Sequence, residues 1–159
     1  MDYILVGKNA VYETIVAALV FLQKEENLIE ELDKNPVFGD LDRDNKREPI
    51  FMGFDNRGNR IYILGTQNYK LIEKIVGELS RVAGQPDIPL QVITMEIKGD
   101  ALTYYLAYLA DLPLIGAWFA NLAKRWVISR KTEIMTSCRN TINSMPQLED
   151  FSPAAKPLK

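Results

Sequence analysis

At 159 residues, with 47% hydrophobic and 25% charged residues, the chain has the make-up of an ordinary soluble globular protein and enough length for one domain with a full core. Histidine is absent, which excludes Ser-His-Asp and Cys-His nucleophiles, an imidazole base and histidine metal ligands, and leaves any catalysis to Asp, Glu, Lys, Tyr or Ser/Thr. The single cysteine, Cys138, excludes an internal disulfide and a structural zinc site, and a formal charge of −2 counts against a dedicated nucleic-acid binder.

Tyr3 to Val6 is a short β-rich run that leads into Val11, Ile15, Val16, Ala18, Leu19 and Leu22 at helical spacing, so strand, loop and helix are predicted. This apolar stretch lacks a preceding basic cluster and contains Glu13, so it does not read as a signal peptide, and a cytoplasmic location is expected. Helical pattern resumes at Leu28 to Leu32 and stops at Asn35-Pro36; Asp40 to Glu48, almost wholly charged or amide-bearing, is predicted to be an exposed loop. Ile50–Phe54 and Ile61–Leu64 flank Asp55-Asn56-Arg57-Gly58-Asn59-Arg60, a hairpin signature in which Asn56, Gly58 and Asn59 tolerate positive φ. Asn68 to Val82 carries a one-sided apolar stripe closed by Gly84 and Pro86, the mark of a helix; Leu90 to Ile97 reads as a strand.

From Ala101 to Ala123 only Asp111 is charged, and Asp111 with Pro113 splits the run. A buried helix, a break and a second buried helix are expected there rather than a membrane span, with Asp111 capping the helix after Pro113. Helical spacing continues through Trp126, Ile134, Cys138 and Ile142; Trp126 falls beside Phe119 and Leu122 on the apolar side, and Cys138 reads as an inert buried thiol. Residues 3–145 form the domain, and 146–159, with Pro153 and Pro157, are expected to be a flexible tail. The predicted fold is α/β: a single three-layer domain with a small, mostly parallel sheet, one β-hairpin and helices on both faces.

Three times an apolar run meets a glycine and becomes a helix, at Gly7-Lys8-Asn9, Gly65-Thr66-Gln67-Asn68 and Gly99-Asp100. Parallel strands would bring these helix starts to one sheet edge, where free amides and Lys8 favour a small anion. The candidate ligand-binding residues are therefore Gly7, Lys8, Asn9, Tyr12, Thr14, Gly65, Thr66, Gln67, Asn68 and Asp100. A phosphate-binding P-loop is not matched, because Asp2 stands where its first glycine belongs and Asn9 where its Ser or Thr belongs. Asp40-Leu41-Asp42-Arg43-Asp44-Asn45 has the opening spacing of a calcium loop but ends on Phe51 in place of the bidentate Glu. No metal or cofactor is expected.

The hairpin block Phe51 to Gly65 resembles the F-x-G-x-D-x-x-G-N-x-V-Y-x-x-G block of the domain-of-unknown-function family numbered 3189, small proteins of Gram-positive, mostly spore-forming bacteria. Ile4 to Leu22 is similar to that family's first strand and helix, and Leu112-Pro113-Leu114-Ile115 to the segment leading into its last helices. The family typically carries Gly-Gly-x-His and two hydroxyl residues at the start of the first helix; here Asn9, Ala10 and Tyr12 take the Gly-Gly and His positions, Glu13 the first hydroxyl, and Thr14 alone keeps its type. The resemblance implies a fold and a site location, and no activity.

These features favour a non-catalytic binding or regulatory module that holds a small anion or a protein segment. The alternative is a phosphate-handling enzyme using Lys8, Tyr12, Glu13 or Asp100 at the start of the first helix. No membrane or nucleic-acid partner is expected. The acidic Glu25–Asp44 and basic Lys124–Arg139 stretches read first as solvated faces; the alternative is that they pair, within the fold or across a homodimer in which apolar contacts from Trp118 to Trp126 contribute most of the association.

Overall fold

In the computed structural model, which describes residues 2–82, 90–97 and 99–144, four strands form one sheet in the order β2-β3-β1-β4. The strands are β1 (Asp2–Gly7), β2 (Ile50–Phe54), β3 (Arg60–Gly65) and β4 (Leu90–Thr94). β1 runs parallel to both β3 and β4, and β2 pairs antiparallel with β3. The helices are α1 (Glu13–Phe21), α2 (Leu28–Lys34), α3 (Leu41–Asn45), α4 (Tyr69–Val82), α5 (Asp100–Ala110), α6 (Gly116–Ser129) and α7 (Lys131–Asn143). The expected tail, 146–159, together with Gly84, Pro86 and Lys98, lies outside the described residues.

Strand alternation sets two unequal faces. Tyr3 and Leu5, in register with Ile61 and Ile63, share a buried face with Ile93, whereas the alternate positions Ile4, Tyr62 and Val92 are only half-buried. The buried face is covered by α1, a helix apolar nearly all round whose nine residues are all buried. Such a helix is stable only in the middle of a structure, and α7 closes over it with Ile134, Cys138 and Ile142. The crossovers β1-α1-β3 and β3-α4-β4 travel in opposite directions along the sheet, so right-handed connections place α4 on the second face. Cover there is thin: Leu71 and Ile75 of α4 stay exposed.

The hairpin turn is organised by one carboxylate. Buried Asp55 accepts from the amides of Arg57 (2.9 Å) and Asn59 (2.8 Å) and from Asn59 Nδ2 (2.8 Å). Of the three residues expected to use positive φ, only Gly58 does, at 79°; Asn59 serves as a hydrogen-bond donor instead.

Three expectations are corrected. The segment after Asp40 is not wholly loop: it contains α3, started by Asp40, whose side chain accepts from Arg43 N (3.2 Å). Asp111 does not cap the helix after Pro113. It forms the C-terminal end of α5, and α6 begins at Gly116, whose missing Cβ lets the Ala110 carbonyl approach. The apolar run is not two buried helices either: α5 buries only Thr103, Leu106 and Ala107, and α6 only Gly116, Ala123 and Val127. No helix among the described residues is long and apolar enough to cross a membrane. Trp126 packs half-buried against the core with the Arg130 guanidinium 5.4 Å from its ring centre, while Leu122 faces solvent.

Asp55→Ala strands two turn amides and an amide side chain, so it is expected to lower stability by roughly 2–3 kcal/mol. Chemical denaturation measures this, and a change below about 0.5 kcal/mol, the size of an ordinary surface substitution, contradicts the role given to Asp55.

A crevice at the ends of the parallel strands

The three parallel strands end side by side. Gly7 is the register partner of Gly65, and the ladders run on past the strand ends through Thr66 N to Gly7 O (2.8 Å) and Met95 N to Val6 O (2.7 Å). Beyond the glycine pair the chain diverges, towards α1 from Gly7 and towards α4 from Gly65. This is the switch point of an open parallel sheet, where a crevice opens because neighbouring connections leave to opposite faces. A cleft of about 90 Å³ lies there, lined by Lys8 and Asn9 after β1, Gly65, Thr66 and Gln67 after β3, Asp44 and Arg47 from the α3 region, and Tyr104, Tyr108 and Asp111 from the α5 region. A wider cleft of about 380 Å³ lies on the other side of Lys8, between β1 and β4, and includes Gly7, Glu96 and Asp100.

Lys8 to Tyr12 forms an arch before α1, which starts at Glu13 and not at Val11 because side chains divert the backbone groups. Asn9 Oδ1 accepts from Tyr12 N (3.1 Å), and the Thr14 hydroxyl donates to the Asn9 carbonyl (2.5 Å). The Ala10 amide points towards the crevice and donates to Asp44 Oδ1 at 2.7 Å. Asp44 is seated against Gly65: a Cβ there would collide with the carboxylate and stand 2.7 Å from Ala10 N. Burial pushes the Asp44 carboxyl above the usual range, and the Ala10 hydrogen bond pulls against it. Lys8, at the mouth, is paired with Asp100 (2.6 Å).

Beneath the arch lies Glu13, 2% exposed. The Thr103 hydroxyl donates to its Oε1, and Asn9 Nδ2 donates weakly to Oε2 (3.4 Å), so one carboxyl ties α1 to α5 and to the arch. Burial pushes it up to about 7, against the downward pull of these hydrogen bonds.

Of the ten residues singled out in the sequence, Gly7, Lys8, Asn9, Gly65, Thr66, Gln67 and Asp100 line one or other cleft. Tyr12 does not: its ring is fully buried edge-on to Phe38, and burial, with Asp44, Glu13 and Asp111 nearby, pushes its hydroxyl up to about 12. Thr14 is buried and occupied with Asn9, and Asn68 is exposed beyond the cleft, its amide bonded to Thr66 Oγ1 (3.1 Å). Sequence reasoning missed Asp44, Arg47, Tyr104, Tyr108 and Asp111. The one available signal was the Asp40-to-Arg43 capping pattern, which marks a helix in the segment that delivers Asp44.

The acidic and basic stretches meet within the fold, where Arg139 pairs with Glu25 (2.5 Å) and Lys124 lies 5.6 Å from the centre of the Phe38 ring. Among the described residues no three His, Cys, Asp or Glu side chains gather as metal ligands would.

An open, mostly parallel α/β sheet with a crevice at its switch point defines the class of this protein. The chain belongs to the family described as Protein of unknown function (DUF3189), which matches residues 3–110, from β1 to the end of α5. No curated protein and no solved structure matches the chain.

The folded protein holds a proton on Glu13 up to about pH 7, whereas the unfolded chain releases it near the ordinary value of 4.5. Stability is therefore greatest below that value and falls as pH rises towards 7, by an amount on the order of 3 kcal/mol. Glu13→Gln removes this component: its melting temperature is expected to exceed that of the wild type above pH 7 and to converge with it near pH 5. Parallel curves for the two proteins contradict a buried, proton-holding Glu13.

Proposed function

We propose that this protein is a non-catalytic binding module that takes a small phosphate- or carboxylate-bearing ligand, free or on a protein segment, in the β1–β3 crevice. The observation that carries the reading is the Asp44 carboxylate, bonded to the Ala10 amide at 2.7 Å and seated in the space that Gly65 leaves. An anionic group already occupies the position that the strand-end geometry favours for one. Its carrier, α3, is five residues long and buries none of them fully, so it is displaced at low cost. Lys8 and Arg47 supply positive charge at the rim.

The enzymatic alternative draws less support. Tyr12 and Glu13 line neither cleft, and Asp100, the remaining candidate acid, is held in an ion pair by Lys8. A cytoplasmic setting fits the single thiol, Cys138, which is buried and pushed up to about 12 by that burial. The family resemblance makes a Gram-positive bacterial source the expectation, and the acidic balance favours no nucleic-acid partner.

Calorimetric titration with inorganic phosphate tests the reading. Wild type is expected to bind in the millimolar range, as the single arch amide of Ala10, already bonded to Asp44, and a paired lysine allow. Asp44→Ala frees the amide and removes a repelling charge, so affinity is expected to rise at least about tenfold; Lys8→Ala is expected to lower it in either background. Equal affinity in Asp44→Ala and wild type, or indifference to Lys8, contradicts the proposal.

A further inference from the structure

The α5–α6 hairpin carries an apolar surface that is left exposed among the described residues. Leu102, Tyr105 and Leu112 recur at helical spacing along α5 and its end, and Ile115, Trp118 and Leu122 along α6. All six are exposed, between 38% and 63%. At the hairpin tip Leu114 is fully exposed with φ at 75°, a left-handed backbone that a leucine seldom adopts. The two helices pack on each other, so both stripes belong to one helical hairpin.

We propose that this face is the interface of a two-fold symmetric homodimer in which the hairpins of two copies pair as a four-helix layer. Three properties select a second copy. First, the surface is large enough: these side chains together exceed the roughly 300–600 Å² of the largest apolar patch on a typical monomer and approach the roughly 800 Å² that each partner contributes to a standard interface. Second, the face carries little charge: from Ala101 to Ala123 Asp111 alone is charged and lies at the turn, and Arg125, in step with the α6 stripe, follows Leu122 at the end away from the hairpin tip, so the central part of the face meets its own copy without like-charge repulsion. An anionic lipid surface or an acidic partner would require basic residues among the apolar ones, whereas Lys124 and Arg125 stand only at the end of the stripe. Third, a two-fold contact demands only self-complementarity, which paired antiparallel stripes with Tyr105 and Trp118 as aromatic anchors provide. The charged stretches are not needed for association, since Glu25 and Arg139 pair inside one protomer. This inference is independent of the crevice and of any ligand.

Sedimentation equilibrium of the full chain, in low and in high salt, decides it. Wild type is expected to be dimeric at about 50 µM, as apolar interfaces of this size are micromolar or tighter, and to remain so at high salt because no ion pairs hold it. Trp118→Glu and Tyr105→Lys each place two like charges across the axis and are expected to raise the dissociation constant by roughly 10³-fold, about 30-fold from each copy, with unchanged far-ultraviolet dichroism. Should one variant lose its helical signal, the other decides. A monomeric wild type, a dimer that salt dissociates, a dimer that survives both charges, or sedimentation with phosphatidylcholine vesicles in place of self-association overturns the proposal.

Discussion

The approach of two chain segments at Gly7 and Gly65 is the constraint on which the rest of the crevice depends. These residues face each other across the β1–β3 ladder, and each takes a group where a Cβ would sit: the Thr14 hydroxyl against Gly7, and the Asp44 carboxylate with the Ala10 amide against Gly65. Larger residues there would force the arch off the strand ends. Without that contact Ala10 N loses its acceptor, Asp44 loses its seat, and α3 has no anchor at the crevice. Glycine is thus required at both positions by the proximity of neighbouring groups; neither has a positive φ.

A second layer of constraint lies just below. Glu13 is the one ionisable group in a helix otherwise built to be surrounded by apolar groups, and it is tolerated because Thr103 and Asn9 satisfy it and because burial favours its neutral form. Its partners come from the arch and from α5, the two elements that frame the crevice with Asp44 and Tyr108. The crevice therefore rests on a satisfied buried group rather than on a surface ion pair. Lys8–Asp100 at the mouth, with the lysine 43% exposed, adds little to stability.

What the sequence disclosed follows the range of the interactions involved. The hairpin was legible because Asp55, Gly58 and Asn59 solve a local problem among neighbours. The shared edge of the glycine junctions was legible because parallel pairing and right-handed crossovers leave few alternatives. Asp44 was not, since its partner is 34 residues away and its own segment reads as solvated charge. The depth of Tyr12 and the exposure of Trp118 were illegible for a related reason: apolarity states what a residue favours, and burial depends on which elements arrive to cover it. The same limit explains Asp111, whose capping role failed because α5 ends on it and α6 begins only at Gly116.

The account turns on a single hydrogen bond, from the Ala10 amide to the Asp44 carboxylate. A pH titration followed at the Ala10 amide proton by nuclear magnetic resonance observes that bond directly. The structure predicts a large upfield step as the carboxylate takes up its proton, with its midpoint above the ordinary aspartate value of 3.8, and no such step in Asp44→Asn. An Ala10 amide that is indifferent to pH, or one that titrates equally in Asp44→Asn, would show that the crevice is not closed by its own carboxylate.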